Sequence, residues 1–174
     1  MTINLRGAVC GLLGASLLGF AVLLAAAPAR AQSEPKVFKD WALHCEQLPE
    51  NAPFEGCYIV QNIINNESQK LTMQFAVGLL KADRKPVAMI TLPLGIRLPP
   101  GVAMQIDQNQ PARIPVEICL PVGCRVQFLM SPEHIAAFKA GANGQLIYQD
   151  AIGRSRPLPF SLSGFTAAFA ALGS

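Results

Sequence analysis

Cysteine spacing gives this sequence of 174 residues its clearest indication of chemistry. Four of the five cysteines form two close pairs, Cys45 with Cys57 and Cys119 with Cys124. Four cysteines allow three disulfide connectivities, and bridging within each close pair is the simplest of them. Each such bridge would close a short loop and stabilise the fold by about 2–3 kcal/mol. We therefore expect four disulfide cysteines, with the other two connectivities left open.

Metal and thiol chemistry fit these cysteines less well. Neither pair has the C-x-x-C spacing of a thiol oxidoreductase. The two histidines, His44 and His134, do not fall at zinc-ligand spacing from the cysteines. The sequence predicts no metal site and no cofactor.

The residue types that carry nucleophilic or acid–base catalysis are scattered along the chain. Ser161 and Ser163 lie in a segment without the G-x-S-x-G pattern of a nucleophile elbow. The carboxylates occur singly, no glycine-rich phosphate loop is present, and His134 falls in the first turn of a predicted helix. We predict that the protein has no catalytic residues and is not an enzyme.

The first 31 residues have the three parts of a secretory signal peptide. Arg6 supplies the positive region, residues 7–29 carry no charge, and Ala29-Arg30-Ala31 is a small-x-small cleavage site. The sequence predicts cleavage between Ala31 and Gln32. An uncleaved membrane anchor is the competing interpretation, because an uncharged run of this length could span a bilayer.

The remaining 143 residues, 32–174, have the length of a single domain. The first 31 residues contain two of the fourteen basic residues and none of the eleven acidic ones. Residues 32–174 therefore carry a net charge of +1. A nucleic-acid partner calls for a clustered basic face, so this near-neutral charge argues against one. An even number of cysteines agrees with export to an oxidising compartment.

Alternating apolar and polar residues, the period of half-buried strands, dominate this domain. Pro115, inside one such run, indicates an edge strand or a bulge because it cannot donate to a strand ladder. Cys119–Cys124 has the composition of a hairpin tip. The runs predicted to be strands are 37–45, 57–64, 71–77, 87–92, 102–107, 113–118, 125–130, 145–149 and 158–162.

Helical patterns are confined to two short segments. Ser131-Pro132-Glu133 is typical of a helix start, and Gly141 of its end. A second short helix is predicted at the C-terminus, over 164–172, with Phe165 and Phe169 on one face. Short strands with two small helices predict a mostly β fold, an antiparallel β-sandwich.

Three aromatic residues are candidates for a binding surface. Trp41, the sole tryptophan, could stack on a ligand, although packing in the core near a disulfide is the favoured interpretation. Phe165 and Phe169 could form an exposed apolar patch for a partner, with core packing again favoured.

Several fragments occur in a fixed order through nearly the whole of residues 32–174 and include both cysteine pairs. The fragments are Phe38-x-x-Trp41-x-x-x-Cys45, Gly56-Cys57-x-x-x-Gln61, Pro93-Leu94-Gly95-Ile96-x-Leu98, Gly101-Val102, Asp107, Cys119-x-x-x-Gly123-Cys124 and Ser161-Leu162-Ser163-Gly164-Phe165-Thr166-Ala167-Ala168. Taken together, they resemble one family, the invasion-associated locus B proteins of alphaproteobacteria.

The resemblance implies a periplasmic or outer-membrane-associated protein, linked in some pathogenic relatives to entry into host cells. It implies no enzymatic activity and no catalytic residues. We therefore expect an exported, non-catalytic protein that binds an envelope or host-cell protein, with peripheral association with the outer membrane as a further expectation.

Two other functions stay open. A small envelope enzyme or carbohydrate-binding module would bring Trp41, Tyr58 and Tyr148 together with a carboxylate such as Asp107 on one concave face. A structural or chaperone-like protein would pair an exposed sheet edge with strands of other chains.

Overall fold

The computed structural model of the chain describes residues 34–45 and 54–173. Within them the chain forms eleven strands and two short helices, which confirms the prediction of a mostly β fold. In chain order the elements are β1 Lys36–Phe38, β2 Trp41–Cys45, β3 Phe54–Ile64, β4 Leu71–Leu80, β5 Pro86–Leu92, β6 Val102–Ile106, β7 Ala112–Ile114, β8 Ile118–Leu120, β9 Gly123–Leu129, α1 Pro132–Ala140, β10 Asn143–Gln149, β11 Ser155–Ser161 and α2 Phe165–Ala171.

The strands form two antiparallel sheets, as predicted for a sandwich. The large sheet has the strand order β1-β2-β3-β4-β5-β9-β8, and the small sheet has the order β11-β10-β6-β7. Neighbouring strands in the large sheet are close in sequence, apart from the step from β5 to β9. The chain leaves the large sheet after β5, forms β6 and β7 in the small sheet, and then returns.

The main hydrophobic core includes one face of each sheet and both helices. Along β4 the alternating residues Met73, Phe75 and Val77 are buried in it, as their period predicts. Phe75 makes edge-to-face contacts with Phe160 of β11 and Phe138 of α1, at centroid distances of 5.0 and 5.7 Å. Aromatic pairs in this geometry stabilise a core beyond the area that they bury.

The N-terminal run 37–45, predicted to be one strand, is a hairpin of β1 and β2. Phe38 pairs directly with Trp41, so only Lys39 and Asp40 form the turn between the strands. Lys39 has a φ of 55°, a left-handed conformation that tight hairpin turns require. The prediction was wrong because Lys39-Asp40 lacks the glycine or asparagine that usually marks such a turn.

The run 113–118, also predicted to be one strand, is divided between the two sheets. β7 ends at Ile114 on the edge of the small sheet, and β8 begins at Ile118 on the edge of the large sheet. Pro115 lies in the connection between these two strands, where no strand hydrogen bond requires the backbone N–H that proline lacks. The prediction of one strand containing Pro115 is therefore wrong, although the two strands that Pro115 connects both lie at sheet edges.

Both predicted helices are present. Ser131 caps α1, Pro132 is its first residue, and Gly141 follows its end, as the sequence indicates. α1 has nine residues and α2 has seven, so neither described helix has the length to cross a membrane.

The structure joins the cysteines in the simplest of the three connectivities. Cys45 is bonded to Cys57 across the register of β2 and β3, and Cys119 is bonded to Cys124 across β8 and β9. Each bridge links directly opposed residues of a hairpin, which agrees with the predicted disulfide framework.

Contacts divide the chain into two units, Met1–Ala31 and Gln32–Ser174. The second unit contains every element given above. The predicted signal peptide and its cut between Ala31 and Gln32 lie outside the described residues, so they stay predictions.

Removal of the disulfides tests how much they stabilise this domain. The bridged cysteines are 12 and 5 residues apart in sequence. Loop entropy therefore predicts that removing the bridges lowers the free energy of unfolding by about 3 and about 2 kcal/mol, respectively. Urea unfolding of Cys45→Ala/Cys57→Ala and Cys119→Ala/Cys124→Ala measures each loss, with the oxidised protein as reference. Equal denaturation midpoints with and without reductant would contradict the disulfide assignment.

Candidate functional site

A buried glutamine joins the two sheets at one corner of the sandwich. Gln61 on β3 is 6% exposed, and among the described residues it is the one buried polar side chain. Its Nε2 donates to the carbonyl oxygens of Asp40 and Ser161, each at 3.1 Å, and its Oε1 accepts from the backbone N–H of Ser161 at 2.9 Å. The side-chain amide therefore bonds to β11 of the small sheet as a neighbouring strand would.

Trp41 and Asp40 extend this connection. The indole Nε1 of Trp41 donates to the carbonyl oxygen of Ser161 at 3.0 Å. The hydroxyl of Ser161 donates to the Asp40 carboxylate at 2.6 Å and accepts from the N–H of Ser163 at 3.0 Å. We call Asp40, Trp41, Gln61 and Ser161 the interlock, because they bond the β1–β2 hairpin and β3 to the end of β11.

Gly164 allows the chain to close against the interlock. Its φ of 91° is a left-handed conformation, and a Cβ there would overlap the carbonyl group of Phe38. The chain then enters α2, whose first residue Phe165 contacts Trp41 edge to face at 5.2 Å. The fragments containing Trp41, Gln61 and 161–168 are far apart in sequence and meet here, so their shared role is structural.

The predicted aromatic binding surface is not a surface. Trp41 and Phe165 are both 0% exposed and lie in the main core, and Phe169 is partly buried beside Lys139. Their burial corrects the ligand-binding interpretation of Trp41 and Phe165 and agrees with the favoured core packing, whereas Phe169 keeps part of its surface exposed. Burial of large aromatic side chains contributes strongly to the stability of a small two-sheet fold.

The aromatic residues of the carbohydrate-binding alternative are also separated. Trp41 is in the main core, whereas Tyr58 stacks on His44 on the opposite face of the large sheet, at 5.4 Å. The Asp107 carboxylate accepts from the N–H groups of Ala142 and Asn143, so it anchors the start of β10. That proposed constellation is therefore wrong for this chain.

Neither histidine faces a catalytic partner. His44 stacks on Tyr58, and the Nδ1 of His134 accepts from the N–H of Ser131 in the capping box of α1. Across the described parts of the chain, no three histidine, cysteine or acidic side chains are grouped as a metal site would require.

A polar groove opens beside the interlock. It consists of two cavities of about 660 and 270 Å³, which share Asn143 and Pro159 in their walls. We call the two together the amide groove, because seven amide side chains and two carboxylates line it. These residues are Asp40, Gln61, Asn62, Asn66, Gln105, Asp107, Gln108, Asn143 and Gln145.

Three of the amide side chains in the groove make no hydrogen bond within the described part of the protein. The side chains of Asn66, Gln108 and Asn143 make no hydrogen bond to any described residue, whereas Gln145 donates to Gln105 at 2.6 Å. Each free amide presents a donor and an acceptor to a ligand. Sequence patterns missed this site because single amides on five segments carry no periodic or spacing signal.

An arginine cluster lies at the turn between β10 and β11. The Asp150 carboxylate accepts from Arg154 at 2.9 Å and from Arg156 at 3.0 Å. Partial desolvation raises the pKa of Asp150, but the hydrogen bonds from Arg154 and Arg156 outweigh it and lower that pKa to about 2. The turn therefore keeps its ion pairs at physiological pH.

The fold and site define a class of small, antiparallel two-sheet proteins with two disulfide-bridged hairpins and a glutamine interlock. A family model described as invasion associated locus B (IalB) protein matches residues 41–173. The chain belongs to the invasion associated locus B family, which confirms the resemblance drawn from its motifs.

Individual relatives agree with this assignment. Invasion protein B homologs from Brucella abortus strain 2308 and from B. abortus biovar 1 strain 9-941 are each 27% identical over 161 residues, which cover 88% of this chain and 85% of theirs. The crystal structure of invasion associated protein b from Bartonella henselae matches with a TM-score of 0.69 at 23% identity, over 80% of this chain and 96% of that one. The structural match shows a shared fold.

Substitution of Gln61 tests the interlock. Gln61→Leu leaves the partly buried N–H of Ser161 without its acceptor and the Asp40 carbonyl without a donor, so we expect a loss of about 2–4 kcal/mol of unfolding free energy. The matched control is Gln74→Leu on the neighbouring strand, whose amide donates to Asn62 at an exposed position. Urea denaturation measures both, and similar small losses in the two variants would contradict the structural role of Gln61.

Proposed function

We propose that this protein is an exported, non-catalytic envelope protein that acts by binding an envelope or host-cell protein through the amide groove. Family membership supports this function, since relatives in Brucella and Bartonella are named as invasion proteins or as invasion-associated. A role in host-cell invasion, and a location in the periplasm or on the outer membrane, follow as parts of the same proposal.

The observation that carries the proposal is the set of unengaged amides in the groove. Asn66 and Asn143 approach it from different sheets, and Gln108 extends it along the small sheet. Amides recognise neutral hydrogen-bonding groups such as the backbone of a polypeptide. Asp40 and Asp107 add negative charge, which disfavours phosphate-rich ligands such as nucleic acid.

The engagement of Ser161 supports a non-catalytic role. Its hydroxyl already donates to Asp40 and accepts from Ser163, and its backbone is bonded to Gln61 and Trp41. A serine used as a nucleophile needs a base that can take its proton and a hydroxyl that can leave these bonds. Here the same bonds hold the two sheets together.

A glycan is the second candidate ligand, favoured by the same amide-rich lining. Hydroxyl groups of a sugar suit paired amide donors and acceptors. Phe160 is the one aromatic residue in the described lining, and it is 4% exposed in the core, so it offers little aromatic surface on which a sugar could stack.

The strand-pairing function is disfavoured by the sheet edges. β11, an edge of the small sheet, contains Pro157 and Pro159, which cannot donate to an added strand. β8, an edge of the large sheet, has three residues and is fixed to β9 by the Cys119–Cys124 bridge. Short and interrupted edges resist pairing with other chains.

Asn143→Arg tests the groove, because Asn143 lines both of its cavities. The larger side chain should fill the junction and reduce retention of a specific ligand by at least tenfold. The control is Gln127→Arg on β9, which also replaces an amide by arginine but on the outer face of the large sheet.

The measurement is capture from envelope extracts by immobilised protein, followed by mass spectrometry, with a glycan array run in parallel. A polypeptide retained by the wild type and the control but lost with Asn143→Arg supports the proposal. A glycan with that pattern supports the second candidate instead. Identical captures by all three proteins would overturn a groove function.

A further inference from the structure

Three loops at one end of the sandwich present exposed aliphatic side chains, and arginines lie in these loops or in the strand ends beside them. The first is the connection 93–101 between β5 and β6, the second is the tip of the β8–β9 hairpin, and the third is the β10–β11 turn. We call these three segments the loop end. The interlock accounts for several of the family-like fragments, but it does not account for Pro93–Leu98.

Backbone contacts show that the three loops are neighbours. Leu92 at the end of β5 pairs with Cys124 at the start of β9, so the first loop leaves the sheet beside the β8–β9 tip. Further along that loop the N–H of Arg97 donates to the carbonyl of Gln149 at 2.8 Å, and Ile96 forms a bridge with Asp150. The β10–β11 turn therefore lies against the middle of the same loop.

The exposed side chains at the loop end are large and aliphatic. Val122 at the β8–β9 tip is 83% exposed, and Ile152 in the β10–β11 turn is 72% exposed. Leu94 and Leu98 of the first loop and Leu120 beside Val122 are exposed as well. Single exposed apolar residues are ordinary on proteins, but a group of five on three adjacent loops marks an interaction surface.

The charge at this end is positive. The loop end together with the adjoining strand ends, segments 91–101, 111–125 and 148–157, contains five arginines, no lysine and two acidic residues, a net charge of +3. Glu117 is paired with Arg125, and Asp150 is paired with Arg154 and Arg156. All of residues 32–174 together carry +1, so the remainder of that domain has a net charge of −2. The positive charge of the domain is thus concentrated around the exposed aliphatic tips.

We propose that the loop end is a docking surface for an anionic phospholipid membrane. Aliphatic residues at hairpin tips can enter the boundary between headgroups and acyl chains, while arginines beside them contact lipid phosphates. A protein partner would more typically meet buried aromatic anchors in a contiguous patch, and the exposed large side chains here are aliphatic. This surface is distinct from the amide groove, so the proposal does not depend on the groove.

Vesicle co-sedimentation of the chain as purified from cells tests the proposal, with vesicles of phosphatidylcholine alone or mixed with phosphatidylglycerol. The wild type should bind the anionic vesicles, and high salt should weaken that binding. Val122→Asp and Ile152→Asp should each reduce it by about tenfold. Arg97→Glu should reduce it by at least fivefold, since each cation near an anionic surface contributes about that factor.

Matched controls separate this surface from the rest of the protein. Leu129→Asp changes a 54% exposed leucine at the opposite end of β9, and Arg84→Glu changes an exposed arginine away from the loop end. All variants keep the same N-terminus, so residues 1–31 cannot explain a difference among them. Both controls should bind as the wild type does.

Three outcomes would overturn the proposal. The first is that the wild type does not bind protein-free anionic vesicles. The second is that Val122→Asp binds them as well as the wild type does. The third is that the controls lose as much binding as the loop-end variants do. Loss of a captured polypeptide by Val122→Asp, without vesicle binding by the wild type, would assign the surface to a protein partner instead. Asn143→Arg should retain vesicle binding, so failure of the groove function and failure of membrane docking are distinguishable.

Discussion

The hydrogen bonds between Gln61 and Ser161 are the constraint on which the two-sheet arrangement depends. Burial of apolar side chains favours stacking of the two sheets, but it does not fix the position of one sheet relative to the other, because it is non-directional. The buried side-chain amide of Gln61, with three hydrogen bonds, does fix that position, since a backbone N–H left without an acceptor there costs free energy. The corner is further tied by Trp41, which bonds to the same carbonyl while its ring packs in the core.

This constraint also explains where the functional surfaces lie. The interlock uses Asp40 and Ser161 to hold the corner closed, and the amide groove opens on its solvent side. The loop end is formed by other connections, which the interlock leaves exposed. Asp40, Gln61 and Ser161 belong to the interlock and also line the groove, but their side chains are engaged in holding the corner. The amides left for a ligand, Asn66, Gln108 and Asn143, lie outside the interlock.

Much of the fold was predictable because local patterns and tertiary contacts agree. The alternation of Met73, Phe75 and Val77 predicted β4, and Ser131-Pro132 predicted the start of α1. The two disagreements, at Lys39 and Pro115, are places where the backbone turns or changes sheet without a change in the apolar period. Neither surface was predictable, because the exposure of Asn143 or Val122 depends on which strands become neighbours.

Native-state hydrogen exchange of the Ser161 amide tests the interlock most directly. If the bonds to Gln61 and Trp41 hold the sheets as one unit, this amide should exchange only through global unfolding, at the free energy measured for the Phe75 amide in β4. Exchange of Ser161 through a much smaller opening free energy, while Phe75 stays protected, would show that β11 detaches on its own. That result would contradict the interlock as the constraint that fixes this fold.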